Sequence, residues 1–283
     1  MATEVLDFTT EDYDYVQHAG ASLKLRLFRP AGAGPFPVVI DLHGGAWNKG
    51  DLGKCQDRDE VLAQSGLAVA ALDFRQAEDG YLACMADINY ATRWIKAHAA
   101  ELEIDPERVG ICGQSSGGHL AMLSAMRPWD ERYCEIALEG GSSSVDASVK
   151  CVGMAWPVIN PLSRYRHALR CRAGDGPPDW VNDIPESHDK YWVTDKNMAD
   201  GNPVLALENG EKVELPPAIW VQGKPDIVHD YRDTDQDHNE PERFARNYHD
   251  AGGDIELLYI DYAARESVLS HNPLADFFRK HLS

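Results

Sequence analysis

Apolar residues along the chain gather into eight short runs, and their texture changes once. Residues 13–17 and 23–28 mix apolar with polar side chains around the turn His18-Ala19-Gly20-Ala21, the pattern of an antiparallel pair. Residues 38–42, 68–72, 109–112 and 219–221 are apolar almost throughout, and each is bounded by glycine, proline or charge. Such runs fit strands covered on both faces in a parallel sheet. Residues 151–156 and 255–260 fit the same description less cleanly. Between the strands, residues 82–102 set Leu82, Met85, Ile88 and Ile95 near helical spacing, and Asp105-Pro106 closes the connection. Residues 242–251 follow a capping Asn239 and a first-turn Pro241 and stop at Gly252-Gly253, and residues 276–282 predict a short terminal helix. Two leading strands followed by strand–helix alternation predict the α/β class, with an eight-stranded, mostly parallel sheet and helices on both faces.

Residues 158–217 break the alternation. They are rich in Pro, Gly, Asp, Arg and aromatics, with little periodicity. A loop that long inside a compact domain is usually functional, so an insertion forming a cap or lid over the active site is expected. Trp180, Tyr191 and Trp192 within it, with Trp47 upstream, are candidate substrate-binding residues, since large aromatics are costly to expose without a purpose. With 283 residues and no internal repeat, one domain spanning residues 1–283 accommodates all of these elements.

Charge narrows the partners. Asp and Glu number 46 against 27 Lys and Arg, a formal net charge of −19, which repels nucleic acid and acidic membrane faces. The densest basic stretch, residues 164–172, carries four arginines. No run approaches the roughly 20 apolar residues that span a bilayer, and residues 1–7 lack the basic start and apolar core of a secretory signal. Cys55, Cys84, Cys112, Cys134, Cys151 and Cys171 form no CxxC pair and read as reduced thiols. A cytoplasmic protein acting on a small molecule, with no metal, is the expectation.

The chemistry concentrates in two glycine-rich segments. Gly113-Gln114-Ser115-Ser116-Gly117 follows the strand at residues 109–112 and precedes the helix-like Leu120-Ala121-Met122-Leu123. Strand, Gly-x-Ser-x-Gly, helix is what a nucleophile elbow requires: the turn is so tight that its flanks must be tiny, and Ser115 projects its hydroxyl at a helix N-terminus. His43-Gly44-Gly45-Ala46-Trp47 follows the strand at residues 38–42. Acyl transfer creates an oxyanion that needs preorganised donors, and the amides of Gly44, Gly45 and Ser116 are the candidates for that hole. His43 is expected to orient the loop.

His43-Gly44-Gly45-Ala46-Trp47 with Gly50-Asp51 resembles the HGGxW loop of the hormone-sensitive-lipase-like esterases, whose relatives include BD-FAE-type and kynurenine-formamidase-like hydrolases. Residues 87–96, Ile104-Asp105-Pro106-Glu107-Arg108 and residues 113–119 match in the same order, so the likeness covers about residues 37–126. The resemblance implies the α/β-hydrolase fold, no cofactor, and ester or amide hydrolysis through an acyl-enzyme; it leaves a homodimer open. In this fold the chain order is nucleophile, acid, histidine. The acid follows a late strand, and Gly223-Lys224-Pro225-Asp226 makes Asp226 the choice, with Asp230 its rival. The base follows the last strand, which points to His271 over His229, His238, His249 and His281, although residues 263–270 do not match the short Gly-x-x-His turn of such enzymes. A carboxylesterase acting on a small ester is the function expected. An amidase or formamidase with the same triad, or a ligand-binding protein on the same scaffold, are the alternatives.

Overall fold

In the computed structural model, which describes residues 5–138 and 145–283, each of the eight runs expected to be strands is a strand. The strands are β1 (Phe8–His18), β2 (Ala21–Pro30), β3 (Phe36–Leu42), β4 (Ala68–Leu72), β5 (Ile104–Gln114), β6 (Cys151–Ala155), β7 (Ala218–Lys224) and β8 (Ile255–Asp261). They form one sheet in the order β1-β2-β4-β3-β5-β6-β7-β8. The β1–β2 and β2–β4 pairs are antiparallel and the others parallel. Residues 1–4, part of the segment read for a leader, lie outside the described residues.

The alternation of side chains along each strand divides the interior in two. On β3, Val38, Ile40 and Leu42 enter one core and Val39 the other. The helices are α1 (Gln56–Gln64), α2 (Gly80–Ala97), α3 (Ala99–Leu102), α4 (Ser116–Met126), α5 (Pro161–Ala173), α6 (Ile184–Trp192), α7 (Asp195–Asp200), α8 (Pro203–Glu208), α9 (Glu240–Asp250) and α10 (Val268–His281). Met85 and Ile88 of α2, Leu120 of α4 and Phe244 of α9 fill the first core. Leu62 of α1 and Leu274 and Phe278 of α10 fill the second, so the sheet is covered on both faces. This is the α/β-hydrolase architecture that the resemblance implied.

Two expectations are corrected. Residues 158–217 are not a long loop; they hold α5, α6, α7 and α8. Each of α5, α7 and α8 opens on a side-chain cap: Asn160 accepts from the Ser163 amide, Thr194 from Asn197, and Asn202 from Val204 and Leu205. Helices as short as α7 and α8 cannot show a periodicity, but caps followed by Pro161 and Pro203 mark where two of them start. The terminal helix starts at Val268 rather than residue 276, with Pro273 inside it instead of ahead of it.

Candidate active site

Ser115 is the single residue between the end of β5 and the start of α4, and its φ of 52° and ψ of −119° lie outside the regions open to ordinary L-residues. Three backbone hydrogen bonds hold it there: its amide donates to Ala155 O at 2.9 Å, and its carbonyl accepts from Val158 N at 3.0 Å and His119 N at 3.2 Å. Only glycine fits at position 117, where a Cβ would stand 2.1 Å from the Leu42 carbonyl oxygen. The end of β3 therefore closes directly over the start of α4. The Ser116 amide lies in the first turn of α4, where N–H groups have no intrahelical acceptor.

The loop after β3 is folded onto this elbow. Gly45 takes a φ of +137°, and a Cβ on it would lie 1.7 Å from the Lys49 carbonyl oxygen, so the turn excludes any side chain. Its own carbonyl accepts from Asn48 N and Lys49 N. A Cβ on Gly44 would reach to 3.2 Å from Ser115 Cβ, which puts the Gly44 backbone beside that serine. His43 does not face the serine: its Nδ1 donates to Gly44 O at 3.0 Å and its ring stacks on Phe74 with centroids 4.4 Å apart.

The histidine facing the serine is His229. Ser115 Oγ donates to His229 Nε2 at 3.1 Å, and His229 Nδ1 donates to Asp226 Oδ2 at 2.9 Å. The expected base, His271, is brought elsewhere. Because α10 begins at Val268, His271 lies on the buried side of a helix that packs against α1, beside Arg58. It lines a cavity of about 480 Å³ whose walls include Arg58, Gln114 and Trp156 but not Ser115. Its Nδ1 has no hydrogen-bond partner among the described residues. Burial and the Arg58 charge lower its pKa to about 4. The loop after β8, where the base was sought, presents Arg265 instead, and Arg265 Nη1 donates to Asp226 Oδ2 at 2.9 Å. The local signal for His229 was its position three residues past the acid, in the same loop after β7.

Asp226, the expected acid, is the one that reaches the histidine; its rival Asp230 bonds Asn239 instead. Asp226 Oδ1 accepts from the amides of Val228 and His229, and Oδ2 accepts from His229, Arg265 and Gln222. Burial alone would raise its pKa, but the His229 hydrogen bond and the charges of His229 and Arg265 bring it down to about 2. An ionised acid fixes the tautomer: Nδ1 of His229 carries the proton and Nε2 is left free to accept. His229 is itself lowered to about 4, by burial first, with Asp226 opposing and Arg164 and Arg265 adding to the fall. It is a neutral base over most of the pH scale.

The four aromatics expected to bind substrate separate into two groups. Trp47, Tyr191 and Trp192 are buried at 2%, 0% and 0% exposure and pack on one another, with Trp47 stacked on Tyr191 at 5.8 Å and edge-on to Trp192 at 5.4 Å. They join α6 to the loop after β3, a packing role in place of the expected pocket wall. Asn48 Nδ2, donating to Ser187 O at 2.7 Å, ties the same two segments. Trp180 is only partly covered and lies under the guanidinium of Arg164 at 4.5 Å.

A sheet of this order, with a strained serine between β5 and α4 and an imidazole–carboxylate pair on the loop after β7, gives the chain the α/β-hydrolase fold. Within that class its sequence matches the family model BD-FAE over residues 25–163. Among curated proteins it is 32% identical over 123 residues to the probable carboxylic ester hydrolase LipM of Mycobacterium tuberculosis, covering 43% of this chain and 28% of that one. It is 27% identical over 246 residues to the carboxylic ester hydrolase LipN of the same organism, covering 83% and 58%. The chain thus spans less than two thirds of the length of either relative. Among solved structures, carboxyl esterase 2 of the fungus Tuber melanosporum superposes with a TM-score of 0.74 at 18% identity, over 98% of this chain and 89% of that one. Among the described residues no helix is long and apolar enough to cross a membrane.

Proposed function

We propose that the chain is a serine carboxylesterase that cleaves small-molecule esters through an acyl-enzyme on Ser115, with His229 as base and Asp226 as its orienting acid. The observation that carries this is the unbroken relay from Ser115 Oγ to His229 Nε2 and from His229 Nδ1 to Asp226 Oδ2. As Ser115 Oγ attacks the acyl carbon, its proton passes to Nε2 of His229. The imidazolium so formed is stabilised by the Asp226 carboxylate, and the oxyanion is held by amides of Gly44, Gly45 and Ser116. His229 then returns the proton to the departing alcohol, and water, activated the same way, releases the acid. The relatives named as carboxylic ester hydrolases support ester over amide substrates. In this proposal residues 158–217 form the cap above the site. A cytoplasmic setting fits six free thiols, four of them buried.

A fluorophosphonate probe should add its mass to Ser115 and to no other residue. His229→Ala should lower kcat on p-nitrophenyl butyrate by about 10⁴ or more, whereas His271→Ala should retain most of the rate. Labelling of another residue, or the reverse ranking of the two histidine variants, would reject the assignment.

A further inference from the structure

The basic stretch of α5 contains a cation that the hydrolytic scheme leaves unused. Arg164 is only 3% exposed, and among the described residues no carboxylate lies within 4.0 Å of its guanidinium. It donates one hydrogen bond, from Nη1 to the carbonyl of Val228, the residue before His229, and lies against the face of Trp180. Its Nε is buried with no acceptor, and so is Nε1 of Trp180. Asp226, the carboxylate whose charge acts on it, has both oxygens taken by other donors. Arg58 shows what the fold does when such a charge is structural: equally buried, it holds Asp41 in a two-pronged ion pair at 2.6 and 2.9 Å. A buried guanidinium is costly without an anion, and a planar fork of N–H groups suits a carboxylate. One next to the catalytic histidine also opposes formation of the imidazolium until an anion arrives.

Resting on the esterase reading above, we propose that Arg164 with Trp180 Nε1–H forms a carboxylate-binding subsite beside His229, and that the preferred substrates are esters bearing a carboxylate of their own, such as monoesters of dicarboxylic acids. The bound carboxylate supplies the missing counter-charge and relieves the opposition to the imidazolium, so binding and chemistry are coupled. Nothing in the acidic exterior attracts such a substrate; the selectivity resides in this one buried fork.

The test uses two probes that differ only in charge, mono-p-nitrophenyl glutarate and its methyl ester. Wild type should hydrolyse the carboxylate form with kcat/KM about tenfold or more above the neutral form, equivalent to at least ~1.4 kcal/mol. Arg164→Gln should bring the ratio close to one. By calorimetry Ser115→Ala, which cannot turn the probe over, should bind the carboxylate form about tenfold more tightly than the methyl ester, a preference missing from Ser115→Ala/Arg164→Gln. Equal binding of both probes by Ser115→Ala overturns the subsite. An equal loss on both probes in Arg164→Gln also overturns it, since that is what mere support of the Val228 loop predicts. If Arg164→Gln does not fold, the wild-type ratio and the Ser115→Ala binding decide. Failure of wild type to hydrolyse either probe would sink the esterase reading instead, and the binding comparison would still test the subsite.

Discussion

Asp226 accepts from five donors on two oxygens, two of them amides of its own turn, one from β7, one from His229 and one from Arg265. Arg265 is itself held between the rings of Trp156 at 4.7 Å and Tyr262 at 4.6 Å. Its hydrogen bond goes to Asp226 and not to Ser115; it positions the acid and lowers the basicity of His229. The proposed mechanism requires neutral His229, so kcat/KM should rise with pH through a limb near pH 4 and then level off. Removing the Arg265 cation, in Arg265→Ala, should move that limb upward, with kcat lowered by about tenfold as the acid loses a fixed partner. A pH–rate profile checks both, and a limb that stays in place or moves down would contradict the role given to Arg265. The residues of this site were unequally legible. The elbow and the loop after β3 are local motifs, and their meaning survives without the fold. The base is a matter of which loop comes within reach of a serine 114 positions earlier; the usual chain order pointed past the last strand, where this chain has Arg265. The absence of a short Gly-x-x-His turn in residues 263–270 was the trace of that exchange.

Between elements, a fully buried ion pair joins α1 to β3. Arg58 and Asp41, 2% exposed each, meet through two hydrogen bonds, and the carboxyl of Asp59 alongside is pushed up by burial and the Asp41 charge. Arg58→Met should strand the Asp41 charge and lower stability by about 3–5 kcal/mol in urea unfolding, whereas Arg58→Met/Asp41→Leu should recover most of the loss. A single variant as stable as wild type would show that the pair contributes nothing beyond packing. At this scale the sequence spoke clearly for strands buried on both faces, because a run such as residues 68–72 has no other use in a chain of this kind. It was nearly silent on α7 and α8, whose six residues apiece complete less than two turns. The resemblance read over residues 37–126 lies wholly within the stretch matched by the BD-FAE family, and that is the half of the chain where elements and motifs agree.

Taken as a whole, the molecule stores neutral imidazoles. Burial first of all lowers His119, His229 and His271 to about 4 and His188 to about 3. In the unfolded chain each titrates near 6.5. Between these values the unfolded state binds protons that the folded state refuses, so stability is intact above about pH 6.5 and falls as pH drops toward 4. The slope is at most about 1.4 kcal/mol per pH unit for each histidine. The melting temperature should therefore fall by about 10 °C or more between about pH 7 and pH 4.5, with no comparable change on the alkaline side of neutrality. A flat profile across that acid window would contradict the burial of uncharged rings.

Asp226 and His229 stand three residues apart on one turn, so their mutual distance is set by local geometry and does not depend on how neighbouring strands are aligned. The pair behaves as a cartridge, gripped from one side by Arg164 at Val228 and from the other by Arg265 at Asp226. Displacing that single turn would withdraw both proton-handling groups from the nucleophile in one motion, leaving the serine on its strained bend with nothing to unburden it.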